Sequence, residues 1–257
     1  MQTLVIDCGN SRVKLALFKE EELVHLETVN NPASNDLTPV HTAITKLMTL
    51  APESNPIRCV MSSVAASLTS PMLALLQTEF KIEPTLVTSS ANHGLTITYN
   101  PPESLGADRI ADSAAATHLF GAPCITVNFG TATTFNVIVP HENQQPCFIG
   151  GVICAGLEMT LASFAAKLPN LGPIDLIAPP SIIGQSTQNA MSSGLLYGHA
   201  AMVDGLIEKI QTERNIAGCP VLATGGHAST IAPHCRKLTQ VDPNLTLLGI
   251  LMISRNQ

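Results

Sequence analysis

Residues 3–18 read TLVIDCGNSRVKLALF, and residues 124–139 read CITVNFGTATTFNVIV. Each stretch is an apolar run, a polar residue, one further residue, Gly, a small polar pair and a second apolar run. Asp7 and Asn128 are 121 residues apart. Each copy predicts a β-hairpin with Gly in its turn. Strand–Gly–strand patterns recur by chance, but the match in length and polarity favours duplication. The expectation is two α/β domains of one topology, residues 1–120 and 121–257, with a cleft between them.

The segments around the hairpins fit that plan. Leu37, Val40, Ile44, Leu47 and Met48 have helical spacing, so residues 36–50 read as a helix. Residues 57–64 and 84–88 read as strands. Ser70-Pro71 looks like an N-cap followed by Pro at the first helical position, predicting a helix over 70–80. An Ala-rich helix is expected over 106–119, and Gly121-Ala122-Pro123-Cys124 turns into the second copy. Beyond it come a strand over 147–154 interrupted by Gly150-Gly151, a helix over 157–168, a Pro-rich irregular stretch at 169–180 and a long helix over 187–214. A strand at 219–224 then meets Gly225-Gly226, which open a helix over 227–234, and a last apolar helix covers 244–253.

Composition excludes several functions. Hydrophobic residues make up 45% of the 257 and charged residues 12%, enough to build a core. Aromatics are 4% with no Trp, and the 13 Lys and Arg are scattered in a chain of net charge −6. Stacking platforms and basic tracks for nucleic acid are therefore not expected. The N-terminus lacks a basic region and reaches Asp7 early, and no apolar run is long enough to span a bilayer. The seven cysteines form no Cys-x-x-Cys pair. Reduced thiols in a cytoplasmic protein that binds no membrane are the expectation.

The chemistry lies in the turns. Gly lets backbone N–H groups approach phosphate oxygens, and hydroxyl or amide side chains add donors. Asp7-Cys8-Gly9-Asn10-Ser11 and Asn128-Phe129-Gly130-Thr131 both meet that specification. Facing each other, they would cradle one ATP. Lys14 would supply positive charge to the transferring phosphoryl group, and Asp7 would hold Mg²⁺ directly or through water. Gly225-Gly226 at a strand-to-helix junction would receive the nucleotide. No Walker A, Rossmann, HExxH or GxSxG motif is present.

DCGNSRVK at 7–14 resembles the D-x-G-N-[ST]-x-x-K phosphate signature of type III pantothenate kinases. Tyr99-Asn100-Pro101-Pro102 with Gly106-Ala107-Asp108-Arg109 resembles that family's Y-x-x-P and G-x-D-R, and FGTATTF at 129–135 its second phosphate loop. Gly150-Gly151, Leu168-Pro169, Ile183-Gly184-Gln185-Ser186-Thr187, Thr224-Gly225-Gly226 and Asn244–Gly249 follow in the family's order. The resemblance implies two RNase H-like (actin-like) domains and a homodimer that phosphorylates pantothenate with MgATP. It implies that Asp108 is the general base, that Gly106, Ala107 and Arg109 hold pantothenate, and that Tyr99 and Thr187 line the same pocket. It also implies that Asp7, Cys8, Gly9, Asn10, Ser11, Arg12, Val13, Lys14 and Thr131 contact ATP. Asp112, one helical turn beyond Asp108, reads as structural.

One departure matters. The family usually carries Asp where this chain has Asn128, at the site of a monovalent cation, K⁺ or NH₄⁺. Asn keeps a carbonyl oxygen but loses the charge, so a weak or altered cation dependence is expected. Two rivals stay open: a nucleotide-binding regulatory protein without turnover, and a kinase for another small hydroxyl substrate.

Overall fold

The structure is a computed structural model that describes residues 2–32, 36–50, 57–168, 172 and 174–255. Among the described residues two sheets carry the fold. The first has the order β3-β2-β1-β4-β5, from β1 (Gln2–Cys8), β2 (Arg12–Lys19), β3 (Glu22–Asn30), β4 (Arg58–Ser63) and β5 (Thr85–Leu86). The second has the order β11-β10-β7-β8-β9-β6, from β6 (Thr96–Ile97), β7 (Cys124–Phe129), β8 (Ala132–Pro140), β9 (Pro146–Ala155), β10 (Val221–Thr224) and β11 (Gln240–Val241). In each, an antiparallel three-stranded meander is followed by two parallel strands beside its first strand. The sequence echo is thus a repeated topology, with β6 as an extra edge on the second copy.

The echo slips by one residue at its turn. Asp7 pairs with Lys14, whereas Asn128 pairs with Thr134, so the second turn is one residue tighter. The spatial counterpart of Lys14 is therefore Thr134, and Phe135 enters the core.

Helices cover both sheets. β1 is a central strand, and its two faces feed two cores. Leu4, Ile6 and Cys8 pack with α1 (Thr38–Thr49) and α2 (Ala66–Thr78), while Val5 packs with α3 (Ala107–Phe120) and α8 (Leu245–Arg255). α8 ends the chain yet lies on β1 and β4, and β6 precedes α3 yet pairs with β9. The second sheet is covered by α4 (Leu157–Lys167), α6 (His199–Arg214) and α7 (Ala228–Ile231), with α5 (Thr187–Ser193) leading towards α6. α5 runs through a π-helical segment, Gly194–Gly198, into α6, giving the long helix expected over 187–214.

α3 and α8 meet through Gly249. A Cβ there would lie 1.9 Å from the carbonyl oxygen of Ala111, so only glycine permits this approach. The contact joins the helix carrying Asp108 to the one carrying Thr246.

Two helix boundaries differ from expectation. α2 starts at Ala66, with Pro71 inside it rather than at its first position. Leu68, Met72 and Leu76 form one buried stripe, and burying Leu68 carries the helix upstream of the proline. After Gly225-Gly226, α7 is only four residues long and passes into a 3₁₀ turn at Ala232–His234. So short a helix has little dipole to offer a nucleotide. Of the Pro-rich stretch, residues 169–171 and 173 lie outside the described residues, and with them Pro169 of the Leu168-Pro169 pair.

Candidate active site

The two hairpin turns face each other across a cleft of about 360 Å³. Gly9 N–H bonds to Arg12 O at 2.9 Å, and Gly130 N–H bonds to Ala132 O at 3.1 Å. The turns touch directly, with Ser11 Oγ 2.7 Å from Thr131 Oγ1. Asn31, just beyond β3, braces the first turn: its Nδ2 donates to Gly9 O (2.9 Å) and Asn10 O (3.1 Å), and its N–H to Ser11 O (2.9 Å). With these carbonyls engaged, the N–H groups of Asn10, Ser11 and Thr131 have no partner among the described residues. Unpaired amides around a concave turn suit an anion.

Positive charge comes from Lys14, which lines the cleft and donates from Nζ to Pro243 O at 3.3 Å, and from Arg12 at the rim. Arg12 reaches across to Glu158 in the first turn of α4 (3.5 Å), which also lies 3.1 Å from His227 Nε2. Gly225, at φ +97°, brings the backbone against the second hairpin. A Cβ there would lie 2.5 Å from Asn128 Oδ1, so the wall stays thin only with glycine.

Two carboxylates line the base, Asp7 and Asp108, and a third, Asp112, lies buried behind them. Asp7 is the next-to-last residue of β1, Asp108 lies in the first turn of α3, and Asp112 follows one turn later. Burial, then the neighbouring Asp108, push Asp7 up to about 7, against the pull of Lys14. Burial also raises Asp108 above the usual carboxylate range, opposed by the Arg109 N–H on its Oδ1 (2.8 Å) and by the Arg109 charge. Asp112, fully buried, is pushed up to about 7, although Thr246 and Asn128 donate to its two oxygens. Crowded, desolvated carboxylates are costly unless a cation joins them. Asp7 Oδ1 is buried without any hydrogen-bond partner, so this position fits a Mg²⁺ held chiefly by phosphate and water.

Behind Asp108, Arg109 turns towards the second sheet. It is 6% exposed, its Nε donates to Asn136 Oδ1 at 2.7 Å, and its guanidinium lies 5.4 Å from the Tyr99 ring and 5.3 Å from that of Phe148. Among the described residues no carboxylate is within ion-pair distance of it. The arrangement is a buried cation with aromatic walls and no anion. Gly106 caps α3 directly before Ala107 and Asp108.

Most of the residues singled out in the sequence meet here. Asp7, Gly9, Asn10, Ser11, Arg12, Lys14, Asp108, Asn128, Thr131, Gly225 and Gly226 line one cleft. Tyr99 and Arg109 pair beside it. Cys8 and Val13 do not reach it: both are fully buried in the core under α1 and α2. Burial pushes the Cys8 thiol up to about 12, so it stays protonated within the core. Thr187 starts α5, is exposed and does not line the cleft. Glu158, Met159 and Thr246 line it unforeseen, and Asp112, read as structural, touches Asn128 and Thr246. Its i, i+4 spacing from Asp108 was the available signal.

Among the described residues no helix is long and apolar enough to cross a membrane, and no three His, Cys, Asp or Glu side chains are grouped to hold a metal.

Comparison with known proteins accords with this geometry. Residues 3–209 match the family described as type III pantothenate kinase. A type III pantothenate kinase of Roseiflexus sp. (strain RS-1) is 35% identical over 253 residues, covering 97% of each chain. One of Citrifermentans bemidjiense is 34% identical over 252 residues, again covering 97% of each. Among solved structures, a ParM mutant (TM-score 0.56, 9% identity, covering 100% of this chain and 99% of that one) shares the fold. So does an activator of 2-hydroxyisocaproyl-CoA dehydratase from Clostridium difficile with bound ADPNP (TM-score 0.54, 14% identity, covering 99% and 93%). With the family matched over most of its length and relatives matched end to end, this chain belongs to the type III pantothenate kinase family.

Proposed function

We propose that this chain transfers the γ-phosphoryl group of ATP to the hydroxyl of pantothenate, giving 4′-phosphopantothenate, the opening step of coenzyme A synthesis. The observation that carries the reading is the placing of Asp108 in the same cleft as two phosphate-cradling turns that touch each other. Phosphoryl transfer has a loose transition state, so catalysis is mostly positioning and charge neutralisation. The amides of Asn10, Ser11 and Thr131 hold the phosphates, and Lys14 faces the charge that develops on the transferring group. Asp7 would hold Mg²⁺, which would neutralise the charge of the triphosphate. Asp108 Oδ1 is fixed by the Arg109 N–H, leaving Oδ2 to orient the hydroxyl and take its proton late. Its raised basicity suits that task. Arg109, a buried cation lacking an anion, suits the pantothenate carboxylate, with Tyr99 as a wall.

The same proposal includes a division into two domains near residue 120 with the cleft between them, and a cytoplasmic location. It also includes a homodimer, which the exposed Ile153, Ile177, Ile182 and Ile183 support. Thr187, exposed and outside the cleft, would join a pantothenate pocket only in the assembled dimer. The monovalent-cation requirement is weak, because the oxygen of residue 128 belongs to a neutral amide.

The test is formation of ADP and phosphopantothenate from MgATP and pantothenate in Na⁺, K⁺ and NH₄⁺ buffers, beside Asp108→Asn. Product from the wild type alone, with nucleotide still bound by the variant, is the expected result. Bound ATP without product in any salt would favour the regulatory reading, for which Asn128 is the one specific feature. Turnover only with other alcohols would favour a different kinase.

A further inference from the structure

Asn128 occupies in the second hairpin the place Asp7 occupies in the first. Asp7 stands beside Ser62 in the parallel register, and Asn128 beside Thr224. A carboxylate and an amide therefore face the cleft from related positions. An amide has two chemically different ends, and which end faces a ligand is decided by what holds the other. Here Nδ2 donates to Asp112 Oδ2 at 2.8 Å. An ionised carboxylate only accepts and an amide oxygen cannot donate, so while Asp112 is ionised this contact admits only one orientation of the Asn128 side chain. Oδ1 is left towards the cleft, where a Cβ on Gly225 would stand 2.5 Å from it and one on Gly130 3.4 Å. The glycines thus keep room for Oδ1, and it has no hydrogen-bond partner among the described residues. Asp112 is itself clamped, since Thr246 Oγ1 donates to its other oxygen at 2.6 Å, and it is fully buried. Asp112 does not line the cleft, whereas Asn128 and Thr246 do.

We propose that Asp112 is a positioning residue that holds the Asn128 amide by its nitrogen, so that the carbonyl oxygen is what the cleft presents to a cation accompanying the nucleotide. The negative charge missing from residue 128 has not left the site. It lies on α3, sixteen residues earlier in the chain, and when Asp112 is ionised it reaches the cleft through the polarised amide. The pair Asp112–Asn128 divides between two elements what one carboxylate in the second hairpin would do alone. The inference rests on the nucleotide-binding part of the proposed function and not on pantothenate as the substrate.

An exchange of the two side chains tests it. MgADP binding by calorimetry and melting temperature are measured in KCl, NaCl and choline chloride at one ionic strength. The proteins are the wild type, Asp112→Asn, Asn128→Asp and the double variant. Asp112→Asn replaces a charge-assisted contact by one that no longer fixes the amide, so MgADP affinity falls about tenfold. Asn128→Asp sets two carboxylates in contact and melts lower than the wild type in every salt. The double variant restores one acid and one amide, recovers MgADP affinity, and places the acid in the cleft. It therefore shows a larger melting increment specific to K⁺ over choline than the wild type does. Unchanged MgADP affinity in Asp112→Asn would overturn the proposal, as would a double variant that binds or folds no better than the single ones. Recovery without any K⁺-specific response would also overturn it, by reducing the pair to a structural contact. None of these readouts uses pantothenate, so they stand apart from the kinase assay.

Discussion

Gly249→Ala puts the α3–α8 contact to a quantitative test. The added methyl would lie 1.9 Å from Ala111 O, 2.4 Å from its carbonyl carbon and 2.9 Å from its Cα. All three are backbone atoms of a helix and cannot rotate away. Reaching ordinary contact at about 3.4 Å requires the two helices to part by roughly 1.5 Å at this point. Overpacking of this kind costs about 1–3 kcal/mol, which for a chain of this size corresponds to a fall in melting temperature of roughly 2–12 °C. Function suffers with stability. Thr246, three residues before Gly249, donates to Asp112 at 2.6 Å, and a shift of that size removes the bond. MgADP binding should therefore weaken in the molecules that remain folded. Gly205→Ala is the control. Gly205 lies inside α6, and its Cβ would meet nothing within 4 Å. There the same change should stabilise by about 0.5–1 kcal/mol through helix propensity. Urea midpoints and MgADP titrations of the two variants give opposite signs if the packing is as described. Equal, small effects from both would refute the close approach of α3 and α8.

Two further outcomes follow from the carboxylates and the thiol. Asp7 and Asp112 bind protons up to about pH 7 in the folded chain, against an ordinary value of 3.8. The folded state therefore holds more protons than the unfolded one between about pH 4 and pH 7, and their contribution to stability is lost as pH rises through that window. Urea midpoints of the ligand-free protein should decline from pH 5 to pH 7.5, with a shallower slope in Asp112→Asn, and a rise would contradict the burial of the cluster. Cys8, buried and pushed up to about 12, should resist alkylation of the native protein at pH 8 with or without ATP, as read by mass spectrometry of its peptide. Labelling of Cys8 in native protein without nucleotide would place the thiol in the cleft rather than in the core.

Local patterns carried much of this protein. The apolar–polar–Gly–polar–apolar run at 3–18 and its repeat at 124–139 specify two hairpins, because strand alternation and turn chemistry act over neighbouring residues. The same runs put Asp7, Gly9, Asn10, Ser11, Lys14 and Thr131 at the two turns that line one cleft, since a turn that exposes backbone amides is written in its own residues. The helix over 70–80 was misplaced because a local Ser-Pro signal was outweighed by burial of Leu68 against a distant strand. Other facts had no local cause. α8 lies on the first sheet although it ends the chain, because Val5, Val60 and Phe18 leave an apolar face that its Leu247, Ile250 and Ile253 cover. Alternation in β2 puts Val13 in the core, just as Cys8 is in β1, between residues that line the cleft, and the sequence motif had counted both as ATP contacts. Asp112 read as structural because its meaning depends on Asn128 sixteen residues away and Thr246 at the far end of the chain. The sequence by itself determined the elements, the duplication and the chemical identity of the turns, all set by short-range sterics and hydrogen bonding. Only the tertiary structure decided which charges share one desolvated space, because burial and carboxylate–carboxylate repulsion depend on distances between elements that no local pattern encodes.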